Sequence, residues 1–245
     1  MNAVAVIPAR MGSSRFPRKP LAPILGRPMI QWVYEGTRAN TRIGQVYIAT
    51  CDEEIRVAAE RFGAPVIMTS DRHERASDRV AEASRHFAAE VVVMVQGDEP
   101  MVTAEMIDLA VRPFEEAGVL CTNLAAAIET EEEFRDPNTV KVVFGKGGDA
   151  LYFSREPVPS TLRTGFQRGL AYRQVCVIGF RRDFLFRYSE LEPTRWEKAE
   201  SIDMLRILEH GMQVRIVKTT ERCFPVDTEA DLRLVEQLLS RSGRA

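Results

Sequence analysis

The sequence predicts an α/β fold, a doubly wound sheet with helical crossovers. Three observations carry this. Short β-branched runs alternate with amphipathic segments along the first half of the chain. The run "EVVVMV" at 90–95 is continuously apolar, as a strand covered on both faces of a parallel sheet must be. The chain has 245 residues, 45% of them hydrophobic, which is enough for a substantial core.

Residues 3–8 read as a buried strand, and 28–39 as a helix with Pro28 at a favourable first-turn position. A second strand is predicted at 45–50. Asp52 then stands as the N-cap of a helix reaching about residue 62. A short strand at 65–68, a helix at 77–87 and the strand at 90–95 follow, and Thr103 caps a helix to about residue 116. In the second half, strands are expected at 139–144, 174–180 and 213–219, with a helical region at 197–209 between the last two. A helix at 228–240 closes the chain, Thr228 and Asp231 being spaced as a capping box, before a frayed tail at 240–245. Without a linker, repeat or low-complexity stretch, the chain reads as a single domain over 1–245. A lobe around 120–190 is expected to cover the active site or form a dimer contact.

Composition excludes several classes. A net charge of -2 with 28% charged residues gives no basic field for nucleic acid or an anionic membrane surface. No apolar run approaches the ~20 residues of a membrane span, and the N-terminus is interrupted too early for a secretory signal. Cys51, Cys121, Cys176 and Cys223 lie far apart with no C-x-x-C pair, which reads as reduced thiols in a cytoplasmic protein. His73, His86 and His210 have no metal-ligand spacing with them, so no structural zinc is expected.

In a doubly wound sheet, ligands bind beyond the carboxyl ends of the strands. The segment after the first strand, "ARMGSSRFPRKPL", holds Arg10, Arg15, Arg18 and Lys19 around Gly12, Ser13 and Ser14. Small residues let an anion approach the backbone, and the cations fix its charge. It is neither a Walker A loop nor a dinucleotide fingerprint; its bland alternative is a solvated basic loop. "VQGDEP" at 95–100 places an acidic pair directly after the most apolar strand, with Asp98 the first candidate ligand for Mg²⁺ bridging phosphates; a polar turn is the competing reading. Asp227 in "FPVDTEADL" reads by itself as a helix cap, but paired with Asp98 it completes a two-carboxylate metal site.

The segments "IPARMGSSRFPRKPL", "GRPMIQWVYE", "VQGDEPMV", "NTVKVV", "ALYFSREPVP" and "VDTEADL" occur together, in order, over nearly the whole chain. In this they resemble the CMP-Kdo synthetase (3-deoxy-manno-octulosonate cytidylyltransferase) family. The resemblance implies a Rossmann-like nucleotidyltransferase fold, a mixed, mostly parallel sheet flanked by helices. It implies a cytoplasmic, Mg²⁺-dependent homodimer that transfers CMP from CTP to the anomeric hydroxyl of an acidic sugar and releases pyrophosphate. Arg10, Gly12, Ser13, Arg15 and Lys19 match the triphosphate loop, and Arg79 a basic residue in the loop after the third strand, near the nucleotide. Gln96 and Asp98 match the segment that meets substrate and metal, Arg155 a residue near the sugar acid, and Asp227 the second metal ligand. Arg10, Lys19, Asp98 and Asp227 form the catalytic set.

The acceptor half departs from the family. Where it usually reads close to "RHLGIYGY", this chain has "RQVCVIGF" at 173–180, placing Gln174 for a histidine and Ile178 for a tyrosine. Where it reads "EMLEQLR", this chain has "ESIDMLR" at 200–206, with Asp203 and Met204. "SGTER" is here "RASDR" at 75–79, with Ala76 for glycine, and Pro225 stands where glycine is usual before "VDT". Sites built to bond hydroxyls discriminate strongly, so these changes bear on the acceptor. They are either tolerated in a Kdo enzyme, or they rebuild the pocket around Gln96, Arg155, Gln174, Ile178 and Asp203 for another acid, such as a modified ulosonate or a phosphonate. The second reading is slightly preferred. Uridylyl or guanylyl transfer is disfavoured by the "SSRFPRKPL" wording. A silent binding protein is disfavoured by the retention of Lys19, Asp98 and Asp227.

Overall fold

The computed structural model describes residues 1–12, 16–221 and 223–241. Ser13 and Arg15 of the expected triphosphate loop, and 242–245 of the expected tail, lie outside the described residues.

The chain begins with β1 (Ala3–Ala9), buried at every position. A small hairpin of β2 (Pro23–Ile24) and β3 (Arg27–Pro28) leads into α1 (Met29–Arg38). Then come β4 (Ile43–Thr50), α2 (Glu53–Arg61), β5 (Val66–Met68), α3 (Ala76–Ala83), β6 (Val91–Val95) and α4 (Ala104–Val111). The second half adds β7 (Cys121–Ala127), α5 (Glu131–Arg135), β8 (Lys141–Phe144), β9 (Ala150–Ser154) and β10 (Tyr172–Arg181). The chain closes with α6 (Arg182–Glu190), α7 (Arg195–Glu200), α8 (Met204–Glu209), β11 (Arg215–Thr219) and α9 (Glu229–Arg241).

The main sheet runs β11-β7-β10-β6-β1-β4-β5, and β10 alone on that path is antiparallel to its neighbours. The hairpin β8–β9 joins through β8 against β10. The sheet is therefore mixed and mostly parallel, as expected. Of the stretch 120–190 expected to form a lobe, β7 and β10 lie on the main path of the sheet, β8 and β9 pair off that path, and α6 follows β10 as a helix.

Residues alternate in face along a strand, and β1 shows it. Ala3, Ala5 and Ile7 pack with Ile30, Val33, Met106 and Ile107 of α1 and α4. Val6 faces the other way, among Val80, Phe184, Leu185 and Leu205 of α3, α6 and α8. A third cluster brings Val235 and Leu239 of α9 against Met29 and Trp32 of α1. Each fully buried Val, Leu, Ile or Met side chain in these layers stabilises the fold by about 1.5–3 kcal/mol before chain entropy is charged. Among the described residues, no helix is long and apolar enough to cross a membrane.

The crevice for a site follows from strand register. Pairing of β1 with β6 ends at Val6 opposite Met94, whereas pairing with β4 continues to Ala9 opposite Thr50. Pro8, which lacks an N–H, sits where β6 has already parted from β1. Gly97 fills the gap: a Cβ there would lie 3.0 Å from the Pro8 carbonyl oxygen and 3.2 Å from Ile30 Cδ1.

Several expectations are corrected. Pro28 is the N-cap of α1 and not its first turn. Asp52 stands at the N-cap of α2 but makes no side-chain cap; its carboxylate accepts from the Met11 amide at 2.8 Å. The helical region at 197–209 is two helices, parted at Ser201, whose φ of 56° is left-handed. Met204, expected beside the acceptor, is fully buried in the core. The capping box at Thr228 and Asp231 is present, with reciprocal bonds of 2.8 and 3.2 Å.

Candidate active site

Two adjoining cavities open at the carboxyl ends of β1 and β6. The smaller, about 360 Å³, is bounded by Arg10, Gly12, Lys19, Arg75, Arg79 and Asp98 among others. The larger, about 1150 Å³, reaches past Arg155, Gln174 and Ile178 towards α5. Gln96, Asp98, Asp203 and Asp227 line both.

Lys19 begins a short 3₁₀ turn (Lys19–Leu21) after the basic loop. Its ammonium donates to Asp98 at 2.7 Å and to Asp227 at 3.0 Å. Burial works against that charge, but Asp98 and then Asp227 outweigh it and hold the lysine above its ordinary range. Asp98 and Asp227 are 129 positions apart and meet because the Val226 amide donates to the Asp98 carbonyl at 2.9 Å. The Asp227 amide in turn donates to Asp231 at 3.1 Å, which seats the residue at the start of α9.

Two carboxylates that converge on one cation offer the donors a hard divalent ion takes, with phosphate oxygens and water completing its shell. Among the described residues, no group of three or more His, Cys, Asp or Glu gathers into a self-sufficient metal cage. Asp98 and Asp227 are thus chemically suited to contribute to the shell of such an ion. Glu99, the other half of the acidic pair, takes no part in this. It is buried beneath the site, accepts from the Cys223 thiol, and is pushed up to about 7 by burial and then by the charge on Asp98.

Arg10 and Gly12 line the smaller cavity, while Ser13 and Arg15 lie outside the described residues. Arg79 lies in the first turn of α3 and not in a loop. It is 3% exposed and donates through Nη1 to Thr69 Oγ1 and the Ser70 carbonyl. Its Nη2 is buried without a hydrogen-bond partner among the described residues, and Arg79 is one of the residues that line the cavity. An orphaned donor of this kind marks a place where a ligand acceptor is expected. His73 also lines this cavity, but its Nε2 is engaged with Glu82.

In the larger cavity, Gln174 donates to Asn123 Oδ1 at 2.5 Å, and Ile178 contributes an apolar wall. Arg155 is tied to main-chain oxygens: Nε to Glu200 at 2.6 Å and Nη1 to Pro137 at 3.0 Å. Asp203 accepts from Ser77 Oγ at 2.6 Å, and burial raises its pKa. Sequence reasoning passed over Arg173, which reaches Glu133 at 2.9 Å and the Cys223 carbonyl at 2.7 Å on the cavity wall. It also missed Glu200, whose carboxylate accepts from Ser154 Oγ and the Arg155 amide, both at 2.8 Å. Neither has a local signal, because both act through contacts distant in sequence.

A family model described as cytidylyltransferase matches residues 4–216. The chain is 42% identical to the 3-deoxy-manno-octulosonate cytidylyltransferase of Geobacter metallireducens, over 98% of this chain and 99% of the relative. It is 45% identical to that of Synechococcus elongatus, over 95% and 96%. Its structure is similar to that of a CMP:2-keto-3-deoxy-manno-octonic acid synthetase complexed with CTP, with a TM-score of 0.91 and 37% identity over 99% of this chain and 100% of the other. With the basic loop, the paired aspartates and these likenesses spanning nearly its full length, the chain belongs to the 3-deoxy-manno-octulosonate cytidylyltransferase family.

Proposed function

We propose that the protein transfers the cytidylyl group of CTP to the anomeric hydroxyl of Kdo or a Kdo-like sugar acid, releasing pyrophosphate. The observation that carries this reading is the meeting of Lys19, Asp98 and Asp227 in a crevice at the strand ends. The acceptor hydroxyl gives up its proton to solvent as its oxygen attacks the α-phosphorus, the phosphorus–oxygen bond to the departing pyrophosphate breaks, and charge builds on the phosphoryl oxygens. Positioning and electrostatic stabilisation dominate such a step. Lys19 supplies a compact charge and Arg10 a planar fork against those oxygens. Asp98 and Asp227 would hold Mg²⁺, which when bound neutralises phosphate charge and helps orient the reacting oxygens. Arg79 Nη2 offers its unpaired donor to the nucleotide. Gln96, Gln174, Ile178, Asp203 and Arg155 shape the acceptor's side. The homodimer and cytoplasmic setting implied by the family resemblance belong to the same reading.

The second reading is the same transfer to a different acid. It rests on the apolar wall at Ile178 and on Gln174 being turned to Asn123, which leave less of the cavity's polar surface free for hydroxyls. The metal pair is tested by Asp98→Ala. Turnover falls about 10³-fold or more while circular dichroism and the melting transition persist. Near-normal turnover in the folded variant removes Asp98 from the mechanism.

A further inference from the structure

The wall between the two cavities is held from both sides by arginines. Ser201, Ile202 and Asp203, in the turn between α7 and α8, line the larger cavity, and Asp203 reaches the smaller one too. From the acceptor side, Arg155 bonds the Glu200 carbonyl at 2.6 Å. From the nucleotide side comes Arg75, the N-cap residue of α3, whose side chain makes no cap. Its Nη1 donates to Ser201 Oγ at 2.7 Å and its Nη2 to the Glu197 carbonyl at 3.3 Å. Its Nε lies 3.6 Å from the Glu197 carboxylate and 3.8 Å from that of Asp203.

We propose that Arg75 is a positioning residue. By fixing the left-handed Ser201 turn against α3, it sets the wall the cavities share, and with it the acceptor's place relative to the nucleotide. This rests on the functional reading above.

Three features support the assignment. One planar fork reaches oxygens of α7 and of the turn that follows it at once, in a geometry that a lysine's point charge does not fix. The turn needs a holder, because Ser201 occupies a left-handed conformation that a non-glycine residue adopts at a cost. The base of the fork is itself anchored: the 70–75 loop is pinned by Glu82, which accepts from the Ser70 amide at 3.0 Å and pairs with His73. Arg75 also lines the cavity that Lys19 and Asp98 share, so it stands where both substrates are felt.

The test compares Arg75→Met, Ser201→Ala and the double variant with the wild type. In the ligand-free protein, amide exchange over 197–206 accelerates about tenfold or more in Arg75→Met, as expected for loss of hydrogen bonds to a charged donor, with α9 unchanged. With CTP, Mg²⁺ and Kdo, the KM for Kdo rises about tenfold. The KM for CTP rises by a smaller factor than the KM for Kdo. The double variant is no worse than Arg75→Met alone, because both remove one interaction. Should Arg75→Met fail to fold, Ser201→Ala carries the same pair of readouts. Unchanged exchange overturns the proposal. So does a KM shift confined to CTP, which would make Arg75 a nucleotide contact. A wild-type protein that is inert with Kdo refutes the functional reading separately, and the exchange experiment then still decides whether Arg75 holds the turn.

Discussion

Lys19 shows how a single side chain can be read before and after folding. Its charge was legible from the loop "RFPRKPL", since a cation after a first strand has an anion to meet. The pairing of Asp98 with Asp227 was anticipated, but that Lys19 bridges the two was not legible, because it depends on main-chain contacts made in the fold, such as the bond from the Val226 amide to the Asp98 carbonyl. Glu82 was passed over for the same reason. It sits on α3 and holds the Ser70 amide and the His73 ring across the loop. Burial opposes its charge, but His73, the Ser70 amide and Arg79 prevail and lower its pKa from 4.5. A carboxylate depressed on folding contributes stability that is full above its unfolded pKa and is lost as pH falls through the folded one. Thermal melts from pH 7 to pH 3 should therefore decline more steeply below pH 4.5 for wild type than for Glu82→Gln. Parallel declines would show that this contact adds nothing.

At the scale of elements, β1 and β6 announced themselves because both are continuously apolar and lie at the sheet's centre. β7 was missed because "CTNLAAA" has few β-branched residues, although burial between β10 and β11 makes it a strand. α5, α6 and β9 also escaped notice, being short or mixed in pattern. The break between α7 and α8 carries no glycine or proline. It is accompanied by contacts across it, among them those of Arg206, whose guanidinium meets Glu197 of α7 at 2.6 and 2.8 Å and Asp78 of α3 at 3.0 Å. Arg206 is 3% exposed and Glu197 1%. Removing one partner of a buried charge pair strands the other, so Arg206→Ala should cost about 3–5 kcal/mol in urea unfolding. A loss below about 1 kcal/mol would mean that the three helices are held by apolar packing alone.

For the whole molecule, topology turns one sequence motif into half a site. The order of strands reverses around β1, with β4 on one side and β6 on the other, and the loops leaving β1 and β6 part at that point. The residues around Lys19 and Asp98 were legible because they sit at strand ends. The larger cavity was less so, because its wall is assembled from β10, the β9 end and the α7–α8 turn, which are remote in sequence. The central claim is cytidylyl transfer to a sugar acid, and pyrophosphate release from CTP and Mg²⁺ tests it most directly, with Kdo, other ulosonic acids and phosphonates offered in turn. The account predicts release that requires both CTP and an acid acceptor, in step with formation of a CMP-linked product, and strongest with Kdo or a close relative. No release with any acid, or equal release from UTP and GTP, would contradict it.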